Sequence, residues 1–124
     1  MAEYLYFNSR DELLRIDVSG IVFFEAEGNY TKIVLANGHT SFVCINLGKM
    51  EKMLTEKLQA KTKCFARIGK RFIINLNYIL QIAPLKQMLV LSDQRTFQYT
   101  LDISKEALKN LKELIVNSKH NKQE

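Results

Sequence analysis

Tyr30-Thr31-Lys32-Ile33-Val34-Leu35-Ala36-Asn37-Gly38-His39-Thr40-Ser41-Phe42-Val43-Cys44-Ile45 carries the strongest short-range signal in the chain. Two runs rich in β-branched and aromatic residues, Tyr30 to Ala36 and His39 to Ile45, flank Asn37-Gly38. Both turn residues accept positive φ, so the stretch predicts a tight β-hairpin.

Working outward, the N-terminal side reads as more short strands. Tyr4 to Phe7 is aromatic and ends at the turn cluster Asn8-Ser9-Arg10-Asp11. Leu14, Ile16 and Val18 alternate with Arg15 and Asp17, the period of a half-buried strand. Ile21 to Phe24 is continuously apolar and leads to Gly28-Asn29. On the C-terminal side a helix is predicted: Asn46 caps it, and Leu47, Met50, Leu54 and Leu58 form its apolar stripe. Strands follow at Cys64 to Ile68, Arg71 to Ile74, Tyr78 to Ala83 and Met88 to Leu91, with Pro84 opening a turn before the last. Phe97, Tyr99, Leu101 and Ile103 alternate with polar residues, and a second helix capped by Ser104 is expected to bury Leu108, Leu111, Leu114 and Ile115. The reading is a mainly β chain of eight to ten short, mostly antiparallel strands, with one central and one C-terminal helix.

At 124 residues the chain has room for one domain, expected over residues 1–116, followed by a polar, fraying tail at 117–124. Apolar residues at 47% and charged residues at 25% fit a globular domain and not a disordered one. No apolar run reaches the roughly 18–20 residues of a membrane span, and Met1-Ala2-Glu3-Tyr4 does not read as a secretory signal. A cytoplasmic protein without membrane insertion is therefore expected. Cys44 and Cys64 lack metal spacing and are expected to pack as reduced, small hydrophobes.

Enzyme chemistry finds little to stand on. His39 lies beside a turn and His120 in the tail, and neither has an orienting neighbour. There is no phosphate-cradling glycine loop and no metal-ligand cluster, so no cofactor and no metal are expected. Glu25 and Glu27 would share one strand face, where a solvated pair at the strand end is the simpler reading.

Charge is more informative. Between Lys57 and Ser92 there is no acidic residue, while Lys57, Lys61, Lys63, Arg67, Lys70, Arg71 and Lys86 supply +7. Removing this from the +5 of the whole chain leaves −2 for the rest. A one-signed block attracts polyanions, though a solvated face would show the same composition. Within it, Phe65-Ala66-Arg67-Ile68-Gly69-Lys70-Arg71-Phe72-Ile73-Ile74-Asn75-Leu76-Asn77-Tyr78-Ile79 gathers three cations around Gly69. Glycine permits a kink there, leaving Lys70 and Arg71 at the mouth of a turn. Arginine can bridge guanine bidentately, and lysine serves phosphate or guanine as a point charge.

The run from Arg67 to Ile79 resembles the signature of the LytTR family of bacterial DNA-binding domains: Arg, apolar, His, basic, Ser, aromatic, two apolar residues and Asn. Ile21-Val22-Phe23-Phe24-Glu25-Ala26-Glu27-Gly28-Asn29-Tyr30 is similar to the family's Glu-Ala and Gly-Asn-Tyr strand and loop. Asn46 to Leu58, Leu89 to Gln98 and Ile103-Ser104-Lys105 with Leu108 and Leu111 resemble its central helix, late hairpin and last-helix start. The resemblance spans roughly residues 3 to 115. It implies an elongated β fold whose loops enter successive major grooves of duplex DNA, in a bacterial transcriptional regulator that binds as a homodimer. The positions it carries over are Asn29, Tyr30, Thr31, Lys32, Lys70, Arg71 and Lys105, with Arg67 joining them in the basic segment. Glu25 and Asn75 read as structural, holding loops through side-chain to backbone hydrogen bonds. Two positions depart from the pattern: Gly69 stands for the usual His, and Arg71 for the usual Ser. Sequence preference is the property they put in doubt. Family members often follow a receiver domain. The chain holds none, so phosphorylation in cis is not expected.

A competing reading keeps the fold but makes the chain a protein-interaction module acting on a partner regulatory protein or a membrane protein. RNA binding is weaker, because the aromatics alternate as strand residues and form no visible stacking platform.

Overall fold

A computed structural model describes residues 3–59 and 63–118. It contains ten strands in antiparallel sheets and two α-helices, and its residues fall into two compact units, 1–77 and 78–124. The single domain expected over 1–116 takes in residues of both.

In the first unit, β1 (Tyr4–Asn8) and β2 (Leu13–Asp17) form a hairpin. A five-stranded sheet runs in the order β5-β4-β3-β7-β6, from β3 (Ile21–Glu27), β4 (Tyr30–Leu35), β5 (Thr40–Val43), β6 (Phe65–Ile68) and β7 (Phe72–Asn75). The Asn37-Gly38 hairpin forms as β4 and β5, but its turn is longer than the two-residue type. Gly38 takes φ +90°, and Asn37 stays at negative φ, using its side-chain oxygen to accept from the His39 amide at 2.9 Å. Asn therefore acts here as a local acceptor rather than as a left-handed residue.

Helix α1 (Leu47–Lys57) starts where expected, with the Asn46 side chain accepting from the Lys49 amide at 2.8 Å. Its buried Leu47, Met50 and Leu54 join Phe24, Ile33 and Ile73 of the sheet and Leu5, Phe7 and Ile16 of the first hairpin in one core. Burying each such side chain contributes roughly 1.5–3 kcal/mol. Asn75 is buried and structural, as expected: its amide donates to Ile21 O at 2.8 Å, and its oxygen accepts from the Asn77 amide at 2.9 Å. Cys64 is half-buried and burial pushes its thiol pKa up, but Cys44 is exposed just past β5, contrary to the packed position expected of it.

The second unit holds the sheet β10-β9-β8, from β8 (Ile79–Ala83), β9 (Met88–Ser92) and β10 (Gln98–Asp102), and the helix α2 (Lys105–Ser118). Pro84–Lys86 makes a single 3-10 turn between β8 and β9, closed by Gln87 at φ +52°. The Ser104 hydroxyl accepts from the Ala107 amide at 3.2 Å, confirming the cap. Leu89, Leu91, Leu101, Ile103, Leu108 and Leu111 are buried. Leu114, expected inside, is 57% exposed: the helix buries a narrower stripe than the leucine spacing suggests. Helix α2 runs to Ser118, past the expected start of the tail, and residues 119–124 lie outside those described.

Candidate nucleic-acid interface

Sheet register puts two turns side by side. Strand β3 pairs antiparallel with β7, Glu25 opposite Phe72, and the Ala26 amide donates to Arg71 O at 2.8 Å. The end of β3 therefore meets the start of β7. The β3–β4 turn and the β6–β7 turn lie at the same end of the five-stranded sheet. Each turn uses a left-handed glycine: Gly28 at φ +61° and Gly69 at φ +62°. A residue with a Cβ rarely adopts that conformation, and both glycines have open space around the Cβ position.

Asn29 is exposed at the first turn, and Tyr30, opposite Glu27 in the register, is 49% exposed. Lys32 stands opposite Glu25, its ammonium 3.6 Å from that carboxylate. Thr31 points the other way. It is fully buried, and its hydroxyl donates to Ile45 O at 2.6 Å. The resemblance carried Thr31 over as a contact residue, but alternation along β4 directs its side chain into the protein, so it is removed from the set.

At the second turn, Lys70 is exposed and enters no ion pair among the described residues. Arg71 pairs with Glu25, and its guanidinium sits 5.0 Å from the Phe72 ring centroid. Glu25 is buried and holds both Arg71 and Lys32. Its structural role is thus ionic, not the backbone hydrogen bonding expected, and it is not half of a solvated pair with Glu27. Arg67 faces its own turn: its guanidinium donates to Gly69 O at 3.1 Å, to Lys70 O at 3.2 Å and to Glu51 of α1 at 2.9 Å. These bonds spend Arg67 on fixing the turn's shape.

The basic block is thus weaker in the folded protein than along the chain. Glu51 and Glu25, both outside it in sequence, stand against Arg67 and Arg71. Sequence reasoning missed Glu51 as a partner, since its only signal was an outward position on a helix. Lys105 is exposed at the first position of α2, in the second unit.

Among the described residues no group of His, Cys, Asp and Glu could hold a metal ion, and no helix is long and apolar enough to cross a membrane. The profile of the LytTr DNA-binding domain matches residues 11–116. The chain belongs to the LytTR family. A solved LytTR structure, the DNA-binding domain of a protein described as a methyl-accepting/DNA response regulator from Bacillus cereus, matches with a TM-score of 0.62. It is 19% identical, covering 90% of this chain and 95% of that one. That likeness confirms the LytTR fold. No curated protein sequence matches the chain. The LytTR family is one of DNA-binding domains.

Proposed function

We propose that the chain binds duplex DNA sequence-specifically as a bacterial transcriptional regulator. Asn29, Tyr30, Lys32, Lys70 and Arg71 form its contact surface in the first unit, and Lys105 a further contact in the second. The observation that carries this reading is the placement of two left-handed turns at one sheet end, with Tyr30 and Lys70 projecting from them. Lys70, in no ion pair among the described residues, contributes a cation for phosphate or guanine. Arg71 offers a fork of donors held in place by Glu25. Arg67 acts indirectly, by shaping the turn. One such module would bury roughly 600–1,000 Å² of protein surface on DNA, and a homodimer on repeated half-sites would double the contact.

The test is selection of bound duplexes from a random pool at near-physiological salt, followed by anisotropy titration of the selected site. Lys70→Ala and Arg71→Ala are each expected to weaken binding by roughly 1–3 kcal/mol where the contact is to a base. A pool that yields no shared motif, or a selected site indifferent to both substitutions, would overturn the proposal.

A further inference from the structure

The second unit carries a concavity that DNA contact by the turns does not use. It lies between α2 and the 3-10 turn Pro84–Lys86, with a volume of about 630 Å³, in the range of ligand-sized clefts. Its apolar lining comes from Ala83 at the end of β8, Pro84 and Leu85 in the turn, and Val116 in the helix. Leu85 is 83% exposed and Val116 53% exposed, so two aliphatic side chains stand in water around one hollow. Lys105, Lys109 and Lys112 line it at the i, i+4, i+7 spacing of one helical stripe, and Lys86 faces them from the turn. None of the four enters an ion pair among the described residues. Against Glu113, the single acidic lining residue, they leave the rim at +3.

We infer that this groove docks an acidic segment of a partner protein that carries aliphatic anchors, as in an amphipathic helix. The anchors would cover Leu85 and Val116, and the carboxylates would meet the lysine rim. A phosphate backbone would use the lysines but leave the apolar lining residues in water. The chain's own segments complement it poorly. The exposed tip between β1 and β2 sets Arg10 beside Asp11 and Glu12, and the tail after Ser118 contains Lys119 and Lys122. The groove shares Lys105 with the proposed DNA contacts, so its test rests on Leu85, Lys109 and Lys112, which that proposal does not use.

The probe is a fluorescein-labelled synthetic peptide of about 16 residues, leucines along one helical face and glutamates on its flanks, with a glutamine-for-glutamate counterpart. Anisotropy against the full chain is expected to show saturable binding by the acidic peptide, at least about tenfold tighter than the neutral one. Leu85→Asp, and separately Lys109→Glu combined with Lys112→Glu, are each expected to weaken it at least about tenfold. Circular dichroism checks the fold of each variant, and exposed Leu85→Ala supplies a milder second change. No binding, equal binding of both peptides, or indifference to Leu85→Asp would each overturn the inference. Displacement of the peptide by a random duplex, with DNA affinity lowered by the Lys109/Lys112 reversals and untouched at Leu85, would overturn it in favour of a phosphate track. Self-association lost in Leu85→Asp, with no peptide binding, would assign the groove to a second copy of the chain.

Discussion

Arg71 is joined to strand β3 twice: its guanidinium donates to the Glu25 carboxylate, and its carbonyl accepts from the neighbouring Ala26 amide at 2.8 Å. Side chain and main chain are thus fixed to the same short stretch, and Lys32 closes on Glu25 from the other side at 3.6 Å. Glu25→Gln removes the charge that organises both cations. It is expected to cost about 1 kcal/mol of stability, since a charge-assisted bond becomes a neutral one. Binding to scrambled DNA should rise with the added positive charge while the ratio of selected to scrambled affinity falls. Urea unfolding and paired anisotropy titrations check the two effects.

Gly69 separates torsional from steric effects. Nothing lies within 4 Å of its Cβ position, so Gly69→Ala meets no clash and the penalty is that of a left-handed backbone. A loss of about 1–2 kcal/mol is expected for alanine. Gly69→Asn should lose less, since Asn tolerates that region best among residues with a Cβ. Thermal or urea midpoints of the two variants give the order directly.

Thr31→Val tests the removal of Thr31 from the contact set. The substitution keeps the shape but leaves Ile45 O without its donor. It should destabilise the protein by roughly 1–3 kcal/mol, with no change in affinity for the selected site where the protein is folded. A weaker affinity for the selected site at unchanged folding would return Thr31 to the interface.

Lys70 should register most plainly in salt titrations. As an unpaired cation on phosphate it would release about one counterion, so Lys70→Ala is expected to reduce the slope of log affinity against log salt by about 0.9. Arg67→Ala, whose guanidinium is committed to Gly69, Lys70 and Glu51, should change stability more than that slope.

The β9–β10 turn predicts acid sensitivity. The Thr96 hydroxyl, and then the amides of Thr96, Arg95 and Phe97, hold the Asp93 carboxyl far below the usual carboxylate range. A carboxylate whose folded pKa is depressed stabilises the protein above its unfolded value of about 3.9. That contribution is lost as pH falls from there toward the folded value. Asp93→Ala should therefore lower the urea midpoint at pH 7 and flatten its decline below pH about 4.

Features set by chemistry within a few residues were legible in the sequence. The caps Asn46 and Ser104 each bond an amide three positions on, and Gly69 turns where the flanking strands require it. Asn75 was legible as a loop holder because its acceptor role is local, two residues along. What the sequence hid depends on which segments distant in the chain lie beside each other. Glu25 meets Arg71 across 46 positions, Arg67 meets Glu51 across 16, and Thr31 meets Ile45 across 14. A block of like charge therefore read as more positive than it is once carboxylates from elsewhere fold against it. Leu114 failed for a related reason: helical spacing marks an apolar residue, but the width of the covering surface decides whether it is buried.

The empty surroundings of Gly28 and Gly69 also bear on how recognition could diverge among relatives. A polar side chain introduced at either position would extend into open space without disturbing the interior, at a backbone cost that Asn or Asp can meet. The two turns are points of evolutionary latitude. Under the proposed DNA contact, single substitutions there would alter target preference while the core beneath stays as it is.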